Sequence, residues 1–529
     1  MTVAEEINLD QLGLDHSPLV RSSVLTVDPP NLKDNTGLAE RLIQALKETA
    51  GLENVKLPLS LARGLKEVLH HSDFKVWAAY QAEGGQGRLI DVRPVSNSDR
   101  LYGLAVDIGS TTLSFALVDL EHPGVIGEAS SLNPQIEYGE DILTRARFAD
   151  QPEGLDTLSV VLWQAINEGA AQICAEHKIE TGRILAAALA GNTVMTHLLL
   201  GLSPSTLIRE PYVPVLNRPA DLKAIDLGFD IAPLAPVAIM PNKGSYFGGD
   251  LVAGLVTAGF NRFEEPCLMV DVGTNAEVVL GQKDWLIGAA GAAGPALEGG
   301  VTRMGMVAGP GAIDQVRVER DTGELFYQTM GGLPPRGICG SGLIDLFAEL
   351  FLSDIIDFRG KLTLDKGHTR RVETDEGPAF VVVPGKEAAG GEPILLSDVE
   401  IDILMRSKAA MYTILETILK SVELSFDQID RFFVAGTFGQ YIDPRMAVAV
   451  GMLPDIPIQR YVSLGNSALN GLILILFSSQ ARAEVLDIWR RLTYLELNMN
   501  QDFMNRFSAA RFIPHTHREF FPSVGTIIK

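Results

Sequence analysis

The strongest constraint on the fold is a short unit that occurs twice. An apolar run reaches Asp107, a turn with Gly109 follows, and a second apolar run ends at Asp119. The same order surrounds Asp271 and Gly273, 164 residues further along the chain. Each copy predicts a strand, a tight turn and a second strand. Because the unit recurs at the spacing of a domain, the sequence predicts two halves related by duplication.

The two turns carry groups that suit a phosphate. The predicted ligands are Gly109, Ser110, Thr111 and Thr112 in the first copy, and Gly273, Thr274 and Asn275 in the second. Asp107 and Asp271 are predicted to be catalytic and to hold Mg²⁺, through water, because Mg²⁺ gives up its waters reluctantly. Facing each other across a cleft, two such turns would hold a polyphosphate. Since phosphoryl transfer needs mainly positioning and charge neutralisation, that site is sufficient for ATP hydrolysis.

A third element must hold the adenosine. A glycine-rich turn between a strand and a helix suits a flat base, which can lie against bare backbone. The best candidate is the turn with Gly436, Thr437 and Gly439, and the next is the turn with Gly340 and Ser341. The sequence has neither a P-loop nor the glycine pattern of a dinucleotide fold, so both of these classes are disfavoured.

Changes in the pattern of apolar segments and turns along the chain predict several domains. From residue 101 onward, apolar strands alternate with helices and glycine-rich turns, which is typical of an α/β fold. We expect a leader over residues 1–30, a small α+β module over 31–98, one half of the duplicated domain over 99–262, and the other over 263–529 with a C-terminal extension. Residues 354–395 are polar and rich in turns, which predicts a peripheral segment.

Charge and cysteine content exclude some functions. The net charge of −22 argues against binding nucleic acid or an anionic membrane. A nucleotide needs only local backbone donors and a metal ion. The three cysteines lie far apart, which disfavours disulfides, zinc sites and an iron–sulfur cluster built from this chain alone. An acidic N-terminus without a signal-peptide core indicates a cytoplasmic protein, and the longest apolar run near the C-terminus is too short to span a bilayer.

Three motifs resemble those of the superfamily of actin, sugar kinases and heat-shock chaperone ATPases. They are Val106-Asp-Ile-Gly-Ser-Thr111, Val270-Asp-Val-Gly-Thr-Asn275 and Val434-Ala-Gly-Thr-Phe-Gly439. The resemblance implies a duplicated actin-like, ribonuclease H-like ATPase domain. Further strings, in the same order, resemble the reductive activators of corrinoid proteins: Leu189-Ala-Gly-Asn-Thr-Val-Met-Thr-His197, Ala293-Gly-Pro-Ala-Leu-Glu-Gly299, Gly337-Ile-Cys-Gly-Ser-Gly-Leu-Ile-Asp345, Leu464-Gly-Asn-Ser-Ala468 and Phe521-Pro-Ser-Val524.

The narrower resemblance implies a function. Such activators use ATP to return an inactive Co(II) corrinoid to Co(I), bind the corrinoid protein of a methyltransferase system, and form homodimers. Typical members also carry a cysteine-ligated iron–sulfur domain, which this sequence lacks. Either a separate iron–sulfur protein supplies the electron, or such a domain has been removed. Activators of 2-hydroxyacyl-CoA dehydratases share a cysteine-containing glycine turn, but we expect Cys339 to be a small buried residue.

Two other functions stay open. A small-molecule kinase on the same fold would need a carboxylate aimed at a substrate hydroxyl, for which Asp250 and Glu298 are candidates. A nucleotide-dependent chaperone would bind the corrinoid protein without reducing it. Measured phosphorylation of a small molecule would favour the kinase, and ATP-dependent affinity without Co(I) formation would favour the chaperone.

Overall fold

The structure, a computed structural model, describes residues 5–96, 99–273, 276–291, 302–320, 322–497 and 503–527. It divides into two compact units, one of Met1–Thr257 with Ala468–Arg490, and one of Ala258–Ser467 with Arg491–Lys529. Two helices from near the C-terminus therefore belong to the first unit. Among the described residues, no helix is both long and apolar enough to cross a membrane.

The first unit has these elements. Its strands are β1 (Glu5–Glu6), β2 (Arg21–Thr26), β3 (Asn54–Lys56), β4 (Lys75–Glu83), β5 (Gln86–Pro94), β6 (Tyr102–Ile108), β7 (Thr112–Asp119), β8 (Gly124–Leu132), β9 (Ile184–Gly191), β10 (Leu222–Lys223) and β11 (Pro236–Ile239). Its helices are α1 (Leu38–Ala50), α2 (Leu59–His71), α3 (Ile142–Phe148), α4 (Gly154–Glu176), α5 (Thr193–Leu199), α6 (Gly249–Ala258), α11 (Ser467–Phe477) and α12 (Ser479–Arg491).

A small α+β module begins the first unit. Its sheet has the order β2-β4-β5-β3, and α1 and α2 pack on it. Residues 76–80 of β4 are all buried, and the alternate residues Val76, Ala78 and Tyr80 face the core that also contains Leu42 and Leu46 of α1. Strand β2 lies inside the segment predicted to be a leader, yet it pairs with β4 along its whole length. The fully buried Leu25 of β2 belongs to the same core, which explains this pairing.

A seven-stranded sheet forms the rest of the first unit, in the order β1-β8-β7-β6-β9-β11-β10. Strands β6, β7 and β8 are antiparallel neighbours, whereas β6, β9 and β11 run parallel. All eight residues of β9 are buried, as expected for a central strand with both faces covered. The carboxyl ends of β6, β9 and β11 therefore lie at one edge of the sheet.

The second unit has its own set of elements. Its strands are β12 (Cys267–Val272), β13 (Ala276–Gln282), β14 (Trp285–Gly291), β15 (Ala312–Val318), β16 (Leu325–Thr329), β17 (Gly337–Ile338), β18 (Arg371–Thr374), β19 (Gly377–Val383), β20 (Ile394–Ser397), β21 (Arg431–Ala435), β22 (Tyr461–Gly465) and β23 (Leu492–Tyr494). Its helices are α7 (Gly340–Leu352), α8 (Asp398–Ser421), α9 (Gly436–Tyr441), α10 (Pro444–Ala449), α13 (Phe503–Ala510) and α14 (Val524–Ile527).

The main sheet of the second unit repeats the plan of the first. Its order is β22-β21-β12-β13-β14-β23. Strands β12, β13 and β14 are antiparallel neighbours, and β12, β21 and β22 run parallel. Strand β12 thus corresponds to β6, β21 to β9, and β22 to β11. This repetition confirms the predicted α/β fold with a duplicated domain.

Two small sheets complete the second unit, in the orders β16-β15-β17 and β18-β19-β20. The prediction that residues 354–395 are peripheral is wrong. Phe380, Val382 and Ile394 from this segment are buried in the core of the unit, and β19 and β20 contact α8. The apolar residues of this segment form short strands between polar turns, so the average composition concealed them.

Candidate functional site

The first predicted phosphate turn joins β6 to β7. The half-buried Asp107 lies near the end of β6, in register with Ala190 of the parallel strand β9. A Cβ on Gly109 would lie only 2.5 Å from the carbonyl oxygen of Thr112, so the turn requires glycine. The predicted Ser110, Thr111 and Thr112 follow on this turn and are half-buried. The structure therefore places the first group of predicted residues together.

A buried asparagine that the sequence interpretation missed supports this turn. The Asn133 side chain is fully buried, and its Nδ2 donates to the Gly109 carbonyl oxygen at 2.9 Å. Its backbone N–H donates to the Thr111 carbonyl oxygen at 2.9 Å, and its Oδ1 accepts from the Gln135 N–H at 3.0 Å. The pair Asn133-Pro134 indicates a turn, but nothing in the sequence indicates which backbone groups that turn would hold.

The parallel strand β9 ends beside the same turn. A Cβ on Gly191 would lie 2.8 Å from the Ile108 carbonyl oxygen, and the Asn192 side chain caps α5 by accepting from the Met195 N–H at 2.9 Å. His197 lies in that helix and is fully buried. Its Nε2 accepts from the Val215 N–H at 3.0 Å, so its Nδ1 is the protonated nitrogen and donates to a helix carbonyl. Burial lowers the pKa of His197, so its imidazole is a neutral packing group.

Asp250 lies at the start of α6, which follows β11. Its Oδ1 accepts from the Leu251 N–H at 2.8 Å. A Cβ on Gly248 would lie 2.4 Å from Asp250 Oδ1 and 2.4 Å from the Cα of Asn192, so the carboxylate and the Asn192 turn flank this glycine. Burial raises the pKa of Asp250 to about 6. The edge of the sheet that carries Asp107 therefore also carries a carboxylate that changes charge close to neutral pH.

The second predicted phosphate turn begins at the end of β12. Asp271 is half-buried and lies in register with Ala435 of the parallel strand β21. Gly436 follows Ala435 with φ = +80°, and a Cβ there would lie 3.0 Å from Asp271 Oδ1. Glycine is therefore required by both the backbone and the carboxylate. Thr274, Asn275 and Glu298 lie outside the described residues, as does the side chain of Thr437.

The two remaining glycine turns, one with Gly439 and one with Gly340 and Ser341, pack against the second unit in different ways. Gly439 lies in α9, where a Cβ would be 2.4 Å from the Val434 carbonyl oxygen, so this helix packs closely on β21. Gly340 and Ser341 begin α7, which contacts α9. The Ser341 hydroxyl is buried and donates to the Asp314 carbonyl oxygen at 3.3 Å. The structure thus brings Asp271, Gly436 and Gly439 together and turns the Ser341 hydroxyl toward the protein.

The three cysteines are free and buried. Cys339 caps α7, and its Sγ lies 3.3 Å from both the Ile313 carbonyl oxygen and the Ser341 hydroxyl. Burial raises the pKa of Cys174 to about 11 and that of Cys267 to about 12, which keeps both as thiols. A protonated thiol is a poor metal ligand and a poor nucleophile, because the thiolate is the form that reacts and binds metals. Cys339 is itself fully enclosed, at 2% exposure, so it is the small buried residue that the sequence predicted.

The fold and the strand-end glycine turns define the class of protein first: a duplicated, actin-like α/β domain of the nucleotide-binding kind. Family profiles then match consecutive parts of the chain. The profile described as the RACo linker region matches residues 10–99, and the RACo middle region matches 102–263. The C-terminal domain of RACo, described as the ASKHA domain, matches 265–525.

Individual proteins agree with these profiles. The chain is 32% identical to the corrinoid activation enzyme RamQ of Eubacterium limosum over 79% of this chain and 72% of that protein. It is 23% identical to a Co(II) methylated amine-specific corrinoid protein reductase of Methanosarcina barkeri, over 77% of this chain and 76% of that protein. A solved reductive activator for a corrinoid, iron–sulfur protein superposes with a TM-score of 0.89 at 37% identity, covering 98% of this chain and 85% of that one. The chain belongs to the RACo family of corrinoid activation enzymes.

Proposed function

We propose that this protein uses ATP to drive the reductive activation of a corrinoid protein, returning inactive Co(II) to Co(I) for methyl transfer. The observation that carries this proposal is the match over 98% of the chain to a solved reductive activator. The relative RamQ, a corrinoid activation enzyme, supports the same activity. The physical need for ATP is that the Co(I) state lies uphill from ordinary electron donors, so binding and hydrolysis must shift an otherwise unfavourable equilibrium.

ATP and Mg²⁺ are the proposed ligands of the strand-end residues. Asp107 and Asp271 are half-buried carboxylates, each beside a glycine that lets the backbone approach closely. Oxygen donors of this kind suit Mg²⁺, which retains several waters and binds one or two carboxylates together with substrate phosphates. The turn after each aspartate would donate N–H and hydroxyl groups to phosphate oxygens. The backbone at Gly436 is the proposed surface for the adenosine, and the buried Gly439 lets α9 pack closely on β21 beside it.

Asp250 is the proposed residue that orients the attacking water. A water that attacks a phosphate must lose a proton, and a carboxylate with a pKa near the working pH is an effective acceptor. Its pKa of about 6 and its place beside the Asn192 turn support this role. Glu298, the other carboxylate predicted for a kinase, lies outside the described residues.

The electron would come from a separate protein. Reduction of Co(II) to Co(I) consumes one electron, and hydrolysis of ATP to ADP and phosphate supplies none. The described cysteines are single buried residues, and Cys174 and Cys267 have raised pKa values. We therefore propose a low-potential iron–sulfur protein as donor, the corrinoid protein as acceptor, and a homodimeric activator, as the family resemblance implies. The cysteine content supports a cytoplasmic location.

A reconstituted assay tests the proposal. The protein is mixed with a Co(II) corrinoid protein, a low-potential iron–sulfur donor and Mg²⁺, with and without ATP. We expect ATP to increase the Co(I) absorbance and a complex with the corrinoid protein to form. If ATP changes the affinity but not the Co(I) yield, the protein is a chaperone. If a small-molecule panel is phosphorylated and no Co(I) forms, the protein is a kinase.

A further inference from the structure

The first unit contains a cavity of about 290 Å³ that none of the predicted nucleotide residues lines. The small α+β module forms one wall through β4 and β5. Residues 218–223, strand β11 and helix α12 form the others. The cavity therefore lies where three parts of one compact unit meet. Such junctions are common places for small-molecule sites.

The charge of this cavity is opposite to that of the whole chain. Its charged lining residues are the cations Arg88, Arg218, Lys223 and Arg482 and the carboxylates Glu83 and Asp221. The lining thus has a net positive charge in a chain whose net charge is −22. A concave surface with a net charge of one sign and with apolar walls concentrates ligands of the opposite sign.

Two of these cations have no partner for their charge. Within the part of the chain that the structure describes, the guanidinium groups of Arg88 and Arg218 make no hydrogen bond and no ion pair. The exposed Arg218 lines the cavity, and its guanidinium carbon lies 5.3 Å from the centre of the Trp489 ring, a contact that helps to position it. A guanidinium offers five N–H donors in a planar fork, the geometry that a carboxylate or phosphate accepts in pairs.

The third arginine is fixed in place. Arg482 Nη1 donates to the Ile475 carbonyl oxygen and its Nη2 to the Ser17 carbonyl oxygen, both at 2.8 Å. These bonds go to neutral carbonyls, while the nearby carboxylates of Asp15 and Glu83 interact with its charge. The positive charge available to an anion is therefore that of Arg88 and Arg218, which can bind it without first breaking an ion pair.

Apart from Gln81, the rest of the lining is apolar and includes Leu222, Val237, Ile239, Val485 and Leu486. A bare inorganic ion would leave these walls in contact with water. We propose that the cavity is a binding site for a small organic anion, with a carboxylate or phosphate group on an apolar body. The anionic group would bind Arg88 and Arg218, and the body would contact β11 and α12. This site goes beyond the proposed activity and does not depend on it.

The cavity also borders the segment that leads to Asp250. Met240 and Pro241 line it. The next two residues hold Trp489: Asn242 accepts from Trp489 Nε1 at 2.7 Å, and Lys243 lies 4.9 Å from the ring centre. The ring that positions Arg218 is therefore bound to the β11–α6 segment.

Titration calorimetry on the full chain without ATP tests the site. The probes are benzoate and phenyl phosphate, with inorganic phosphate (charge alone) and benzyl alcohol (apolar body alone) as comparisons. We expect saturable binding of benzoate or phenyl phosphate at one site, and about tenfold or weaker binding in Arg88→Gln/Arg218→Gln, because charge-assisted hydrogen bonds are lost. The matched control is Lys33→Gln/Arg63→Gln, which removes two exposed cations outside the cavity and should bind as the unchanged protein does.

Several results would overturn the proposal. The first is that neither benzoate nor phenyl phosphate binds. The second is that the cavity variant and its control bind these anions equally well. The third is that inorganic phosphate or benzyl alcohol binds as tightly as the organic anions. If the double variant fails to fold, the single variant Arg218→Gln replaces it, because Arg218 is exposed. This single variant should also bind the organic anions more weakly. Because no ATP or corrinoid protein is present, failure here leaves the proposed function untouched.

Discussion

The two duplicated halves share a plan but differ in the chemistry at their strand ends. In both, an aspartate-bearing strand lies beside a parallel strand near whose end an alanine, Ala190 or Ala435, is followed by a glycine. After the third strand they diverge. Strand β11 leads to α6, which contains Asp250, whereas β22 leads to α11, which begins at Ser467. The comparison teaches that the two halves share the backbone of the proposed phosphate site, while only the first half has a carboxylate, Asp250, in the helix after the third strand.

The shared part of the plan predicts the largest effects. We expect Asp107→Asn and Asp271→Asn each to lower ATP turnover by at least about a hundredfold, because each removes a proposed Mg²⁺ ligand. Steady-state phosphate release is the measurement. The exposed carboxylates Asp230 and Asp375 supply matched controls, as Asp→Asn variants with unchanged turnover. If either strand-end variant turns over ATP normally with an unchanged melting temperature, that half does not hold the metal.

The divergent part predicts the next effect. Asp250→Asn should lower kcat by about 10²–10⁴-fold, the usual contribution of a general base, with little change in KM for ATP. In the unchanged protein, kcat should fall about tenfold per pH unit below pH 6, where the carboxylate becomes protonated. The variant should lose this dependence. A variant with normal kcat would mean that the difference between the halves is structural only.

The same carboxylate predicts a change in stability with pH. Its folded-state pKa of about 6 lies above the ordinary value of 3.8, so the folded chain binds this proton more tightly than the unfolded chain does. The stability associated with that proton is present below the unfolded pKa and is lost as the pH rises through about 6. Melting temperatures should therefore show Asp250→Asn gaining stability over the unchanged protein at pH 8 and little at pH 4. An equal shift at both values would contradict the raised pKa.

A smaller effect on ATP binding is expected from replacing Asn133, the buried asparagine of the first half. Asn133→Ser removes the bonds to the Gly109 carbonyl and the Gln135 N–H. At about 0.5–1.5 kcal/mol for each bond, KM for ATP should rise roughly tenfold, with a smaller change in kcat. Asn167→Ser is the matched control, because Asn167 also bonds two backbone groups, of Gly228 and Asp230, in a different part of the unit. Equal KM values for both variants would mean that Asn133 only stabilises the fold.

The smallest effect is expected at the second-half glycine. Gly436→Ala places a Cβ 3.0 Å from Asp271 Oδ1 in a backbone with φ = +80°. It should cost about 1–3 kcal/mol of unfolding free energy and raise KM for ATP. Gly465→Ala separates the two causes, because its φ is +58° but its Cβ would meet no atom within 4 Å. Denaturant unfolding should show a lower unfolding free energy in both variants. KM for ATP should rise only in the Gly436 variant, and a similar rise in the Gly465 variant would argue against the contact with Asp271 as its cause.

The sequence predicted the repeated features well and the long-range contacts poorly. The strand-end positions of Asp107 and Asp271 were predictable because a continuous apolar run marks each strand, and an aspartate followed by a glycine turn marks its end. Asn133 was missed because its partners, Gly109 and Thr111, lie more than twenty residues earlier in the chain. The short strands β18 to β20 were missed because polar turns dominate their composition. The return of α11 and α12 to the first unit depends on tertiary packing, which local patterns do not encode.

The most direct test of the account combines ATP hydrolysis with corrinoid reduction. Co(I) formation is followed spectroscopically on a Co(II) corrinoid protein with a low-potential iron–sulfur donor and Mg-ATP, using the unchanged protein and Asp250→Asn. We predict that the unchanged protein produces Co(I) only when ATP is present, and that the variant binds ATP but produces little Co(I). Equal Co(I) yields with and without ATP, or equal yields from the two proteins, would contradict the account.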